Sequence, residues 1–272
     1  MKPKALVLQA HGSNRDFDVI EALTLTGADA MGVPLNELRN HKALLAEYQL
    51  LVIPGGFSYA DALGAGKLLA LDLATYFADE VQAFVDSGKP VIGICNGFQA
   101  LVKSGILPGE KNEERHVHRT LVQVRKNDAG ATLTFNAEGH FDCRWVTLKP
   151  LSQTCVWTKG LDELIECPIA HGEGNFQTSN LFSLSSFIEN DQIALTYTGS
   201  NGFPAHGEYP ANPNGSIHDI AGICNPHGNV LGLMPHPENH IHAWQHPRRT
   251  REETKGSGLK LFENGVKYAM QM

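Results

Sequence analysis

The sequence predicts an α/β protein: a doubly wound, mostly parallel sheet flanked by helices, with an antiparallel β elaboration in its second half. Three observations carry this. The runs KALVLQ (4–9), QLLVIP (49–54) and KPVIGI (89–94) each stop at a turn and are followed by a helical stretch. Their near-continuous hydrophobicity suits strands covered on both faces, as in a parallel sheet under helices. After Leu107-Pro108-Gly109 the texture changes to short β-rich runs separated by turn residues, closer to an antiparallel meander.

The elements follow in order. KALVLQ ends at Ala10-His11-Gly12-Ser13-Asn14, and in RDFDVIEALTLTGA (15–28) Phe17, Ile20, Leu23 and Leu25 fall near helical spacing. QLLVIP runs into Gly55-Gly56, with a helix expected over LLALDLATYFADEVQAFVDSG (68–88). KPVIGI leads through a turn at Cys95 into the helix-like GFQALVKSGIL (97–107). Further strands are expected at RTLVQV (119–124), ATLTF (131–135), CRWVTLK (143–149), ECPIAH (166–171), QIALTY (192–197), IAGICN (220–225) and NVLGLMPH (229–236). In GLKLFENGVKYAMQM (258–272), Leu259, Leu261, Phe262, Val266 and Ala269 share one face and predict a closing helix. No repeat is evident, and one domain over 1–272 is the simplest organisation.

With 272 residues and 42% hydrophobic content the chain can bury a full core. Its net charge of -7 argues against general nucleic-acid or membrane-surface binding, which needs an excess of Lys and Arg on one face. The opening MKPKALVLQAHG is too short an apolar run for a signal peptide, and no segment has the uncharged length of a membrane span, so a cytoplasmic address is expected. Five cysteines, an odd number, in a long chain argue against a disulfide framework. Cys143, Cys155 and Cys167 are regularly spaced but too far apart for zinc ligand pairs, and no metal site is expected.

Chemistry concentrates in GICNGFQ (93–99). Gly93 and Gly97 around Cys95 fit a nucleophile elbow with Cys in place of Ser, a sharp strand-to-helix turn that displays the side chain. A sulfur at a helix N-terminus is favoured as thiolate by the dipole and free N–H groups. The alternative is a buried structural thiol, a common fate of cysteine. A thiolate nucleophile needs a histidine base, itself oriented by an acceptor. His171-Gly172-Glu173, His206-Gly207-Glu208 and His236-Pro237-Glu238 all offer that pair. Pro237 would hold its pair most rigidly, and His236 ends an apolar strand as Cys95 does, so the residues lean to His236 without excluding His171. After another strand, Gly55-Gly56 can turn backbone N–H groups toward an oxyanion, donors worth ~2.7–4 kcal/mol each in acyl transfer. GAGK (64–67) fails as a phosphate loop, because Asp61 stands where its first glycine belongs and Leu68 where Ser or Thr belongs.

PGGFSY, GICNGFQ, FDCRWV, PIAHGEG, NPNGS, IAGICN and GNVLGLMPHPE occur in an order that resembles the glutaminase subunits of phosphoribosylformylglycinamidine synthases, class I (triad) glutamine amidotransferases with a flavodoxin-like core. The resemblance spans about residues 4–238, with 239–257 as a basic extension before the closing helix. It implies Cys95 as nucleophile, His236 as base and later acid, and Glu238 as the acceptor that orients it. It implies an oxyanion hole from the N–H groups of Gly56 and Asn96. Gln99 resembles a position that contacts the head group of glutamine, and His171 and Gly172 a loop that closes over it. No cofactor is implied in this chain. ATP and Mg2+ would serve a large synthetase subunit, joined by a small third subunit, and L-glutamine would be the substrate. A cysteine peptidase or acyl hydrolase on the same elbow, and a binding subunit with a dead site, are the competing readings. Two departures stand out. The segment NHIHAWQHPRRTREETKGSG (239–258) makes the chain longer than the resemblance leads one to expect, and Asn239 replaces the Arg common after PHPE. The basic segment is either a docking face for the synthetase or a solvated loop.

Overall fold

The computed structural model describes residues 1–109, 130–179, 181–251 and 255–272, and no side chains at 181–183. The strand expected at 119–124 lies outside the described residues. Eleven strands are described: β1 (Lys4–Gln9), β2 (Asp29–Pro34), β3 (Leu50–Ile53), β4 (Val91–Ile94), β5 (Ala131–Thr134), β6 (Asp142–Pro150), β7 (Ile165–His171), β8 (Asn175–Thr178), β9 (Ile193–Thr198), β10 (Ile220–Cys224) and β11 (Val230–Leu233). The helices are α1 (Asp16–Leu25), α2 (Leu35–Asn40), α3 (Lys67–Tyr76), α4 (Ala78–Asp86), α5 (Asn96–Lys103), α6 (Leu181–Glu189) and α7 (Leu259–Ala269).

One nine-stranded sheet runs β2-β1-β3-β4-β11-β10-β9-β6-β7. The first five strands of that order are parallel neighbours, and the remaining pairings are antiparallel. The doubly wound half and its antiparallel elaboration are therefore halves of a single sheet. The apolar runs LLVI, VIGI and VLGL form its centre and are wholly buried, because helices cover a parallel sheet on both sides. β5 and β8 pair separately, with Leu133 opposite Phe176.

Three expectations need correcting. The helix expected over 68–88 is two, α3 and α4, broken at Phe77, whose φ of -126° is not helical. In α1 the buried face is Val19, Ala22 and Leu23, while Phe17 is 76% and Leu25 51% exposed. β2 was not foreseen, because an edge strand with alternate residues in solvent lacks a continuous apolar run. The closing helix buries Leu261, Phe262, Val266 and Ala269 as predicted.

The segment after Glu238 folds back on the domain. Asn239 donates to Asp18 on α1 (2.9 Å). His246 and Arg248 meet the Glu166 carboxylate on β7 at 3.2 and 3.0 Å, and Trp145 on β6 packs edge-on against His240 and His246. Trp244, Arg249 and Arg251 stay exposed. Among the described residues no helix is long and apolar enough to cross a membrane.

Candidate active site

Cys95 lies between β4 and α5 with φ 50° and ψ -105°. Such a backbone costs a non-glycine residue on the order of 1–3 kcal/mol and persists only where its surroundings enforce it. They do: the Cys95 N–H donates to Leu233 O of β11 (2.7 Å) and its carbonyl accepts from the Gln99 N–H (3.0 Å). The turn also needs its glycines. A Cβ on Gly97 would sit 1.9 Å from Ile53 O, so only glycine lets α5 start this close to β3.

β11 runs parallel beside β4, Leu233 opposite Ile94, so His236 leaves the C-terminal edge next to Cys95. The two flank one point of backbone: a Cβ on Gly55 would be 2.7 Å from His236 Cε1 and 3.4 Å from Cys95 Cβ. His236 Nδ1 is 2.7 Å from Glu238 Oε1 with both side chains buried, and Glu238 Oε2 has no partner among the described residues. The His236 N–H donates to Pro168 O (2.8 Å), tying this turn to β7. Cys95 Sγ lies 3.9 Å from Ala170 O on the same strand.

The other two pairs do not assemble. His206 and Glu208 are exposed, and their turn is held by Asp219, which accepts the N–H groups of His206 and Gly207 at 2.8 Å each. His171 is buried but turned away from Glu173: its Nδ1 meets Asn136 Oδ1 at 3.1 Å, while Glu173 pairs with Lys103 at 3.4 Å.

Electrostatics separate the two buried imidazoles. Burial by itself would lower the His236 pKa, but the Glu238 carboxylate and the Cys95 sulfur, by charge and hydrogen bonding, lift it to about 10. His236 is therefore set up as an imidazolium beside sulfur. Burial, aided by the charge of His236, takes His171 down to about 3, so it stays neutral. With Asn136 Oδ1 also accepting the Gly174 N–H (2.9 Å), the imidazole must donate from Nδ1, which leaves Nε2 as a bare acceptor. Cys167 shows the contrast with a structural thiol: burial and the Glu238 and Glu166 carboxylates raise its pKa well above the usual value.

A cavity of about 280 Å³ opens onto Cys95, walled by Gly56 and Asp61 on one side and by His171, Gly172 and Glu173 on the other. That is the scale of one amino acid rather than a polypeptide segment.

A CobB/CobQ-like glutamine amidotransferase domain matches residues 2–269. The chain belongs to the glutamine amidotransferase family. It is 52% identical to phosphoribosylformylglycinamidine synthase subunit PurQ of Treponema denticola, across 99% of this chain and 100% of the relative. It is 42% identical to the same subunit of Dehalococcoides mccartyi, across 100% and 99%. Among solved structures, PurLQS of Thermotoga maritima contains a chain 31% identical, with a TM-score of 0.71, covering 98% of this chain and 99% of that one. The segment after Glu238 is thus within the length of these glutamine amidotransferase subunits, and no addition to it.

In this glutamine amidotransferase Gly56, Cys95, Gln99, His171, Gly172 and Glu173 line the cavity, His236 and Glu238 stand beside Cys95, Asn96 begins the helix after it, and His206 and Glu208 lie elsewhere on the surface. Gln99 lines the cavity, but its amide is engaged at both ends: Oε1 accepts from Asn96 Nδ2 (3.1 Å) and Nε2 donates to Glu173 O (2.7 Å). The sequence reading missed Asn136, Asp61 and the Glu173–Lys103 pair. Asn136 turns the imidazole of His171, and Asp61 Oδ1 accepts from Asn96 Nδ2 at 2.7 Å, the other half of that side chain being held by Ser58. No local spacing signals these partners.

Proposed function

We propose that Cys95, His236 and Glu238 hydrolyse L-glutamine and that the chain is the glutaminase subunit of a phosphoribosylformylglycinamidine synthase. The observation that carries the site is Cys95 on a strained elbow at a helix N-terminus, beside a buried imidazole raised by Glu238. His236 takes the Cys95 proton, and the thiolate so formed adds to the side-chain amide carbon of glutamine. The oxygen of that carbon takes the negative charge, and the N–H groups of Gly56 and Asn96 hold it. Collapse of the adduct breaks the C–N bond as the imidazolium gives its proton to the leaving nitrogen. Ammonia departs, and a γ-glutamyl thioester remains on Cys95. His236 then takes a proton from water, whose oxygen attacks the thioester, and glutamate leaves with the thiolate restored.

Every group in this scheme belongs to this chain, so it calls for no cofactor here; ATP and Mg2+ belong to the synthetase subunit that turns formylglycinamide ribonucleotide into formylglycinamidine ribonucleotide. Ammonia passes to that subunit in an assembly with a small third subunit, out of contact with water that would protonate it. All five cysteines are free, which suits a reducing cytoplasm.

Replacing Cys95 by Ala in the assembled complex tests the scheme. Glutamine-dependent synthesis should fall by about 10⁶ while ammonia-dependent synthesis persists, since only the ammonia supply is lost. Glutamine hydrolysis surviving in that variant would sink it.

A further inference from the structure

Between β7 and β8 the chain reads His171-Gly172-Glu173-Gly174, and the carbonyl and both carboxylate oxygens of Glu173 are bonded to the nucleophile's helix α5 and to the turn before α3. Its carbonyl accepts from Gln99 Nε2 (2.7 Å), one turn into α5. Its Oε1 accepts the Ala65 N–H (3.2 Å), in the turn before α3. Its Oε2 lies 3.4 Å from Nζ of Lys103, the last residue of α5, and that same ammonium donates to Ala65 O (2.5 Å). The Glu173 and Lys103 side chains are about four-fifths buried, so this pair is less screened than a surface one.

The residues on either side are fastened from the opposite direction. Asn136 holds the imidazole of His171, the N–H of Gly174 and, by its own N–H, the carbonyl of Gly172 (2.9 Å). Asn214 Nδ2 donates to Gly174 O (2.8 Å). The wall of the cavity facing Cys95 is therefore stretched between two supports, and on the α5 side Glu173 is the whole of the attachment described. Gly174 is needed for packing, since a Cβ there would be 2.1 Å from His171 Cε1. Gly172 is not: a Cβ there would meet only Phe141 Cα at 3.9 Å, with φ outside the left-handed region. A glycine that neither sterics nor φ requires, next to a residue clamped at three points, makes a wall whose position depends on the clamp.

We propose that Glu173 and Lys103 are positioning residues for glutamine, clamping the His171–Gly174 wall to the nucleophile's helix, and that Gln99 belongs to this clamp. The proposal rests on the glutaminase reading. Because the clamp fixes the cavity's width and leaves Cys95, His236 and Glu238 untouched, its loss acts on binding more than on turnover.

The test uses Glu173→Ala, Lys103→Met and the double variant in the reconstituted complex. KM for glutamine should rise about 10–100-fold in Glu173→Ala with kcat within about threefold, and less in Lys103→Met. The double variant should lose less than the sum of the two single variants, since the Glu173–Lys103 pair is removed in both. Glu173→Gln, which keeps an acceptor for Ala65, should restore most of the lost affinity. An unchanged KM, a fall confined to kcat, or additive losses would overturn the clamp. Amide hydrogen exchange of the full-length chain separates this from the glutaminase reading, because it needs no turnover. Faster exchange at Gly172–Gly174 in Glu173→Ala and Lys103→Met supports the clamp, and unchanged protection overturns it. Absence of glutamine hydrolysis by the wild-type complex would instead sink the assigned reaction.

Discussion

Two buried histidines, His236 beside the Cys95 sulfur and His171 in the cavity wall, have opposite proton affinities: burial lowers both, and only at His236 do the Glu238 carboxylate and the Cys95 sulfur outweigh it. Glu238 gives His236 a carboxylate at 2.7 Å, whereas His171 meets the neutral amide of Asn136, so that burial and then the charge of His236 hold it neutral. In the proposed reaction the imidazolium delivers a proton to the leaving nitrogen, and that form is lost as pH rises through about 10. Glu238→Gln removes a charge that raises this pKa while keeping a hydrogen-bond acceptor. The alkaline limb of the kcat profile for glutamine hydrolysis should then move to lower pH, with kcat down by about 10³–10⁴, as when other triad acceptors are neutralised. A pH profile with its alkaline limb unmoved would deny Glu238 this role.

At the scale of elements, the site depends on how closely α5 approaches β3. Gly97 makes that approach possible, and replacing it by Ala sets two effects against each other. Helix propensity favours Ala by about 1 kcal/mol. The added Cβ, however, would lie 1.9 Å from Ile53 O, a backbone atom with no freedom to move aside. Overpacking of this kind costs about 1–3 kcal/mol or more, so Gly97→Ala should lower Tm and, by shifting Cys95 and the Asn96 N–H, lower kcat/KM further. An unchanged or raised Tm would refute the packing argument. The same contrast between local and remote constraint decides what could be read from the sequence. LLVI, VIGI and VLGL were legible because a strand buried on both faces is apolar throughout, and Cys95 because its elbow is local; His236-Pro237-Glu238 was one of three such pairs, and the resemblance chose among them. β2 at the edge, the break at Phe77 and the pairing of β5 with β8 depend on what packs against them. Lys103 lies seventy positions from Glu173, and Asn136 thirty-five from His171, so neither partnership leaves a local trace.

For the molecule as a whole, the same histidines shape stability against pH. His236 has a folded pKa above its unfolded value of about 6.5, so its contribution is full below that value and is lost as pH rises through about 10. His171 acts at the other end. Its folded pKa of about 3 lies below the unfolded value, so between pH 6.5 and 3 the unfolded chain binds a proton that the native chain does not. Stability must therefore fall as pH falls through that window, with a slope from this residue of at most about 1.4 kcal/mol per pH unit. Carboxylates add their own acid dependence, so the absolute curve does not isolate the histidine. Its difference from His171→Asn does, because Asn has no proton to gain and can still offer an N–H to Asn136 Oδ1. Urea unfolding of both proteins from pH 7 to 3.5 should give free energies that converge, or cross, toward the acid end, His171→Asn losing less. Parallel curves would mean that His171 takes up a proton in the native state, and that the buried neutral imidazole in the cavity wall is misassigned.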